Sequence, residues 1–137
     1  PSFFPPSITR LLGGGVDEGE DVAIAATREL EEELGVTVTV DDLRPLAQFN
    51  TSATDATGKQ FYNETYLYGV NIGDATYRPG DDVKQIIALS RDEMRELADA
   101  FEKLPTCLWY RGDEGDFSWN DYGKLYSVIH RTAADKM

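Results

Sequence analysis

Helical stretches interleaved with short β-type runs predict an α/β fold, with a mixed sheet flanked by helices. Three observations carry that prediction. A helix-forming stretch occupies 21–34, two more lie in the last third of the chain, and runs at 36–40, 46–51 and 61–72 supply strands. The 137 residues amount to a single domain, 1–137, long enough to bury a core without disulfide or metal staples.

Taken in order, residues 1–6 are punctuated by Pro1, Pro5 and Pro6 and predict irregular backbone. A short strand is expected at 8–12, running into Gly13, Gly14 and Gly15, where freedom to adopt φ > 0 lets a carbonyl turn inward. Asp21 is the N-cap of the first helix, and Gly35 is its left-handed stop. Between them lie Ala, Leu, Glu and Arg, all good helix formers. At about 100° per residue, Ala23, Ala26, Leu30 and Leu34 share the packing arc. Glu29, Glu32 and Glu33 fall on the neighbouring arc, and Glu31 points to solvent.

Val36, Val38 and Val40 alternate with threonines, the period of a strand. The runs 46–51 and 61–72 are two further strands, joined through the polar stretch 52–59 with Gly58. After a short apolar run at 86–89, Ser90 caps a helix over 91–103 whose face is Met94, Leu97, Phe101 and Leu104, and Pro105 ends it. Residues 106–119 read as irregular, rich in aromatics and acids. A last helix, 120–134, packs Leu125, Tyr126 and Ile129. Neither repeats nor low-complexity tracts occur.

The net charge is −12 and the pI about 4.3, which makes a nucleic-acid backbone a poor direct partner. A small phosphorylated ligand stays compatible, because a bound cation reverses the local field. The single cysteine, Cys107, excludes an internal disulfide and suits a reducing compartment. Beside Leu108 and Trp109 it reads as a small buried apolar residue rather than a nucleophile. The one histidine, His130, has no serine, aspartate or second histidine arranged around it and reads as structural or surface-lying. No run approaches the length of a membrane span, and the N-terminus lacks the charged start and apolar core of a signal peptide. A soluble, cytoplasmic protein is expected.

Three carboxylates on one helical edge repel one another, at a few tenths of a kcal/mol per neighbouring pair. They either dissolve in water as a solvated acidic face or receive a cation; Mg²⁺ takes carboxylate oxygens together with waters and substrate phosphates. Arg28 beside them either neutralises the cluster or orients one carboxylate through a bidentate pair. Glu20, ahead of the helix, can fold back from the loop towards the acids.

The whole of 14–36 fits one pattern, G-x5-E-x7-R-E-U-x-E-E-x-G-U with U aliphatic, filled by Gly14, Glu20, Arg28, Glu29, Leu30, Glu32, Glu33, Gly35 and Val36. This resembles the Nudix box, the signature of hydrolases that cleave a nucleoside diphosphate linked to another moiety. The resemblance implies an α/β/α sandwich with a mixed sheet, dependence on Mg²⁺ (or Mn²⁺), and attack of water at phosphorus in a small-molecule diphosphate substrate. It makes Glu33 and Glu32 the leading metal ligands, with Glu29 a third ligand or the general base. Arg28 becomes the orienting cation and the carbonyl of Gly13 a further ligand. An additional acid from beyond the box is expected among Glu64, Asp74, Asp81, Asp82, Glu114 and Asp116. Phe49, Tyr62, Tyr66, Trp109, Trp119 and Tyr122 offer surfaces on which a base could stack.

Two rival readings follow from the same resemblance. A non-catalytic Nudix-fold module that senses a nucleotide tends to lose box acids, and here Arg28, Glu29, Glu32 and Glu33 are all present. An isopentenyl diphosphate isomerase-like enzyme needs a cysteine nucleophile and histidine ligands, which one late cysteine and one late histidine fit poorly. One departure from the pattern is the short lead. Such domains carry at least one substantial strand before the box, whereas Gly14 is preceded here by thirteen residues. The expectation is that some N-terminal strand sequence is lacking, and that the chain either forms a homodimer or leaves a sheet edge open where an upstream strand belongs.

Overall fold

A computed structural model describes residues 10–80, 83, 85–104, 109–112 and 115–137, the side chains of 109–112, 115–117, 119 and 122 excepted. The fold is mixed α/β, with elements in the order α1 (Val22–Leu34), a 3-10 turn (Val40–Asp42), β1 (Leu43–Thr54), β2 (Gln60–Val70), α2 (Arg91–Glu102), β3 (Trp109–Gly112), β4 (Gly115–Ser118) and α3 (Trp119–Lys136). Among the described residues the strands form two pairs, β1 with β2 and β3 with β4. The chain divides into two compact units. One holds Arg10–Leu46 and Tyr68–Ala88, and the other holds Ala47–Leu67 and Leu89–Met137.

Both ends of α1 are as the sequence predicts. The Asp21 carboxylate accepts from the N–H groups of Ala23 (3.0 Å) and Ile24 (3.3 Å), satisfying donors that lack an intrahelical partner. Gly35 takes φ 70°, and its N–H reaches the Glu31 carbonyl at 2.9 Å. Of the residues expected on the packing arc, Leu34 is buried and Ala23, Ala26 and Leu30 are half-buried. Ala25 is buried as well. The carbonyls of Glu33 and Leu34 accept from the main-chain N–H groups of Gly80 and Arg78, each at 3.0 Å.

The strand expected at 36–40 does not form. The alternation is real, with Val36 buried and Val38 half-buried between exposed threonines, but it specifies only extended chain with one covered side. No partner strand lies against it among the described residues. Val40 instead enters the 3-10 turn, which Asp42 closes by accepting from the N–H (2.9 Å) and hydroxyl (3.2 Å) of Thr39. At 10–12 there is likewise no strand. The segment 1–9, on which the expectation of an incomplete sheet turned, lies outside the described residues, as do Pro105 and Cys107.

β1 is longer than expected, while β2 starts one residue before the expected run and ends two residues short of it, and the turn between them is tight. Asp55 Oδ1 accepts from the N–H of Thr57 (2.9 Å) and of Lys59 (3.0 Å), and Gly58 takes φ 86°. The stretch 106–119, expected to be irregular, contains the antiparallel pair β3–β4, with Trp109 opposite Ser118 and Gly112 opposite Gly115. The Gly-x-x-Gly spacing is the turn signal, but four-residue strands carrying acids show too little alternation to be read.

α2 and α3 pack against each other. Ser90 accepts from Glu93 N–H while Glu93 returns a bond to Ser90 N–H, a reciprocal cap. Met94, Ala98 and Phe101 of α2 are buried, as are Ile129, His130, Ala133 and Ala134 of α3, while Leu97, Leu125 and Tyr126 are half-buried. The His130 ring lies 4.7 Å from that of Phe101, and its Nδ1 is 2.6 Å from the Tyr126 carbonyl, which gives it the structural role expected. Arg131 pairs with Asp99 and Glu102, each at 2.8 Å. No helix among the described residues is long and apolar enough to cross a membrane.

Candidate active site

Arg28 organises the acids of α1. Its Nε donates to Glu20 Oε2 (2.9 Å), and Nη2 donates to Glu20 Oε1 (3.0 Å) and the Gly15 carbonyl (3.0 Å). Nη1 reaches Glu29 Oε1 (3.1 Å) and Glu32 Oε2 (3.2 Å). The fork-to-fork pair with Glu20 ties the incoming loop to the helix, a geometry that lysine could not reproduce. Glu20 folds back as expected, but onto Arg28 rather than among the other acids.

This pairing holds the Glu20 carboxyl down at a pKa of about 2, chiefly through the bond from Arg28 and then through the N–H of Asp17. Arg28 is raised in turn, chiefly by Glu20. A carboxyl depressed in the folded state stabilises it fully above its ordinary value of 4.5, and loses that contribution as pH falls towards 2. Glu20→Gln is therefore expected to flatten the fall in Tm across that window. An unchanged acid limb would show that the pair is not holding the loop.

Glu33 and Glu29 meet the glycine loop. Gly13 N–H donates to Glu33 Oε2 at 2.7 Å. The Glu33 pKa is raised, first by half-burial and further by Glu29 and Glu32, against the lowering effects of Gly13 N–H and Arg10. A Cβ on Gly14 would overlap the carboxylate of Glu29. A side chain at 14 would thus displace the carboxylate end of Glu29, and the expected φ > 0 is absent from Gly13, Gly14 and Gly15. Gly14→Ala must turn Glu29 out of its place beside Arg28. A turnover loss on the order of 10²-fold is expected, as for a group misplaced by about an ångström. Steady-state kinetics checks this, and unaltered turnover would mean that Glu29 is free to move.

The acids are not one uniform solvated face. The side chain of Glu29 is 17% exposed and that of Glu32 57%, while Glu31 is exposed as expected. Carboxylate and carbonyl oxygens suit a hard divalent cation. Among the described residues, however, no three acids, histidines or cysteines are gathered as a ligand set. Arg28 holds both Glu29 and Glu32 on its Nη1. Of the two acids held by Nη1, Glu32 is the more exposed.

Of the acids expected from beyond the box, Glu64 is exposed and accepts from the Tyr66 hydroxyl (2.8 Å), and Asp74 is exposed. Asp81, Asp82, Glu114 and the Asp116 side chain lie outside the described residues. Among the aromatics, Tyr62 is 78% exposed, and Phe49 and Tyr66 are half-buried. The side chains of Trp109, Trp119 and Tyr122 are not described. Sequence reasoning missed Arg10 near Glu33, and also Arg78 and Gly80 at the end of α1. The Arg-Pro-Gly run at 78–80 was not singled out in the sequence.

Comparison with known proteins gives a consistent picture. The NUDIX domain family model matches residues 2–110. An RNA pyrophosphohydrolase of Caulobacter vibrioides, found in two strains, is 61% identical over 33 residues, which are 24% of this chain and 19% of that protein. The match thus spans about a fifth of the relative's length. No solved structure matches.

Proposed function

The chain belongs to the NUDIX domain family, and from that premise we propose that it hydrolyses the diphosphate linkage of a small nucleoside diphosphate derivative, with water attacking phosphorus and a divalent cation assisting. The observation that supports this reading best is the approach of the glycine loop to the acids of α1, with Gly13 bonded to Glu33 and Gly14 against Glu29.

Glu29, Glu32, Glu33 and the Gly13 carbonyl would hold the cation, Mg²⁺ or Mn²⁺. When bound, it neutralises charge on phosphoryl oxygens and acidifies a water. Glu33 keeps its carboxylate aimed by accepting from Gly13. Glu29, held by Arg28 and shielded from bulk water, is either the third ligand or the group that takes the proton from the attacking water. Arg28 and Glu20 orient, and Gly14 and Gly35 allow the close approach and the helix stop.

The relative's RNA substrate is not carried over. The shared stretch is short, and a net charge of −12 opposes an RNA backbone. The test is incubation of the purified chain with Mg²⁺ and a panel of nucleoside diphosphates linked to sugars, nucleosides or further phosphates, in water enriched in ¹⁸O. Cleavage with the label in a phosphate-bearing product is expected. A folded chain that turns over none of the panel would sink the reading in favour of a binding module.

A further inference from the structure

The end of α1 that carries Glu32 and Glu33 is held by main chain from far along the sequence. A helix leaves its last carbonyls without intrahelical donors. Here the Gly80 N–H donates to the Glu33 carbonyl and the Arg78 N–H to the Leu34 carbonyl, both at 3.0 Å. Alternate residues of one strip thus meet successive carbonyls. The Glu32 carbonyl oxygen lies against Gly80 itself, where any Cβ would overlap it. That oxygen is backbone and cannot rotate aside. Glu33 is consequently fixed twice, its carboxylate by Gly13 and its carbonyl by Gly80.

We infer that Gly80 is a positioning residue, whose bare main chain clasps the last turn of α1 and thereby sets where the Glu32 and Glu33 carboxylates stand. The inference rests on the reading of those two residues as cation ligands. Glycine is required at 80 for its missing side chain, since its φ is not in the left-handed region.

Gly80→Ala and Gly73→Ala separate this role from general stability. Gly73 takes φ 55° with open space around it, so alanine there is strained without touching α1. Two measurements are made on the whole chain: Mn²⁺ binding followed by the electron paramagnetic resonance of free Mn²⁺, and amide hydrogen exchange. Gly80→Ala is expected to weaken Mn²⁺ binding roughly 10–100-fold, the usual range for groups that orient ligands. It should also cost the amides of residues 78 and 80 at least about tenfold in protection. Gly73→Ala should leave both within about twofold, even where it lowers Tm. Equal effects from the two variants, or retained affinity in Gly80→Ala, would overturn the positioning role. A wild-type chain that binds no Mn²⁺ fails the metal reading instead. In that case exchange alone decides the clasp, and unchanged protection in Gly80→Ala overturns it.

Discussion

Glu33→Gln is expected to reduce turnover roughly 10²–10⁴-fold, the range for losing a group that handles charge or a proton at the reacting centre. Glu31→Gln should leave turnover within about twofold, as exposed substitutions away from such features do. The two residues are two positions apart on α1, so helix propensity and overall charge change equally. They differ in surroundings. Glu33 is half-buried, its pKa is raised by that burial, and its carboxylate accepts from Gly13. Glu31 is exposed. A glutamine carbonyl oxygen at 33 can still accept from Gly13, so circular dichroism and Tm should hardly move. What is removed is the negative charge that a cation needs. Equal losses at 31 and 33 would mean that α1 does not present its acids as described. A nucleotide-sensing module would keep ligand binding while showing no turnover even before substitution, so the wild-type assay separates that rival.

The parts of the molecule legible in the sequence are those decided by local chemistry. The cap at Asp21, the left-handed stop at Gly35, the cap at Ser90 and the hairpin turn with Gly58 each depend on residues a few positions apart. So does the placement of Glu29, Glu32 and Glu33 along one edge of α1, which is helix geometry. The errors fall where a long-range partner decides. Val36, Val38 and Val40 have strand periodicity but no strand to pair with among the described residues, and a side chain at 42 redirects the chain. Glycine at 14 was read through φ, whereas the carboxylate that a side chain there would displace lies on α1. Gly80 drew no notice because the backbone it touches is remote in sequence. Arg28 shows the same limit from the other side: neutralising and orienting were both open, and only the geometry with Glu20 reveals the bidentate tie to the loop.

Removing divalent cations should abolish hydrolysis, and adding Mg²⁺ or Mn²⁺ back should restore it. The argument is one of charge. A diphosphate brings further negative charge to a chain already at −12, beside Glu29, Glu32 and Glu33. Two unit charges 4 Å apart repel by roughly 1 kcal/mol in water and about 4 kcal/mol near a protein surface. Arg28 is the cation at the centre of these acids, and its five N–H donors are engaged by Glu20 through Nε and Nη2, Gly15 through Nη2, and Glu29 and Glu32 through Nη1. To turn a donor onto a phosphate it would have to release an acid or the loop, undoing the arrangement that places Glu29. Arg28 is thus committed to the acids and the loop, and a divalent cation is expected to supply the positive charge that the phosphoryl oxygens need. The check is activity measured through a titration with EDTA and then with metal, on protein whose Tm is followed in parallel. Full turnover in excess chelator, with the fold intact, would refute cation-assisted chemistry and return the acids of α1 to the role of a solvated face pinned by one arginine.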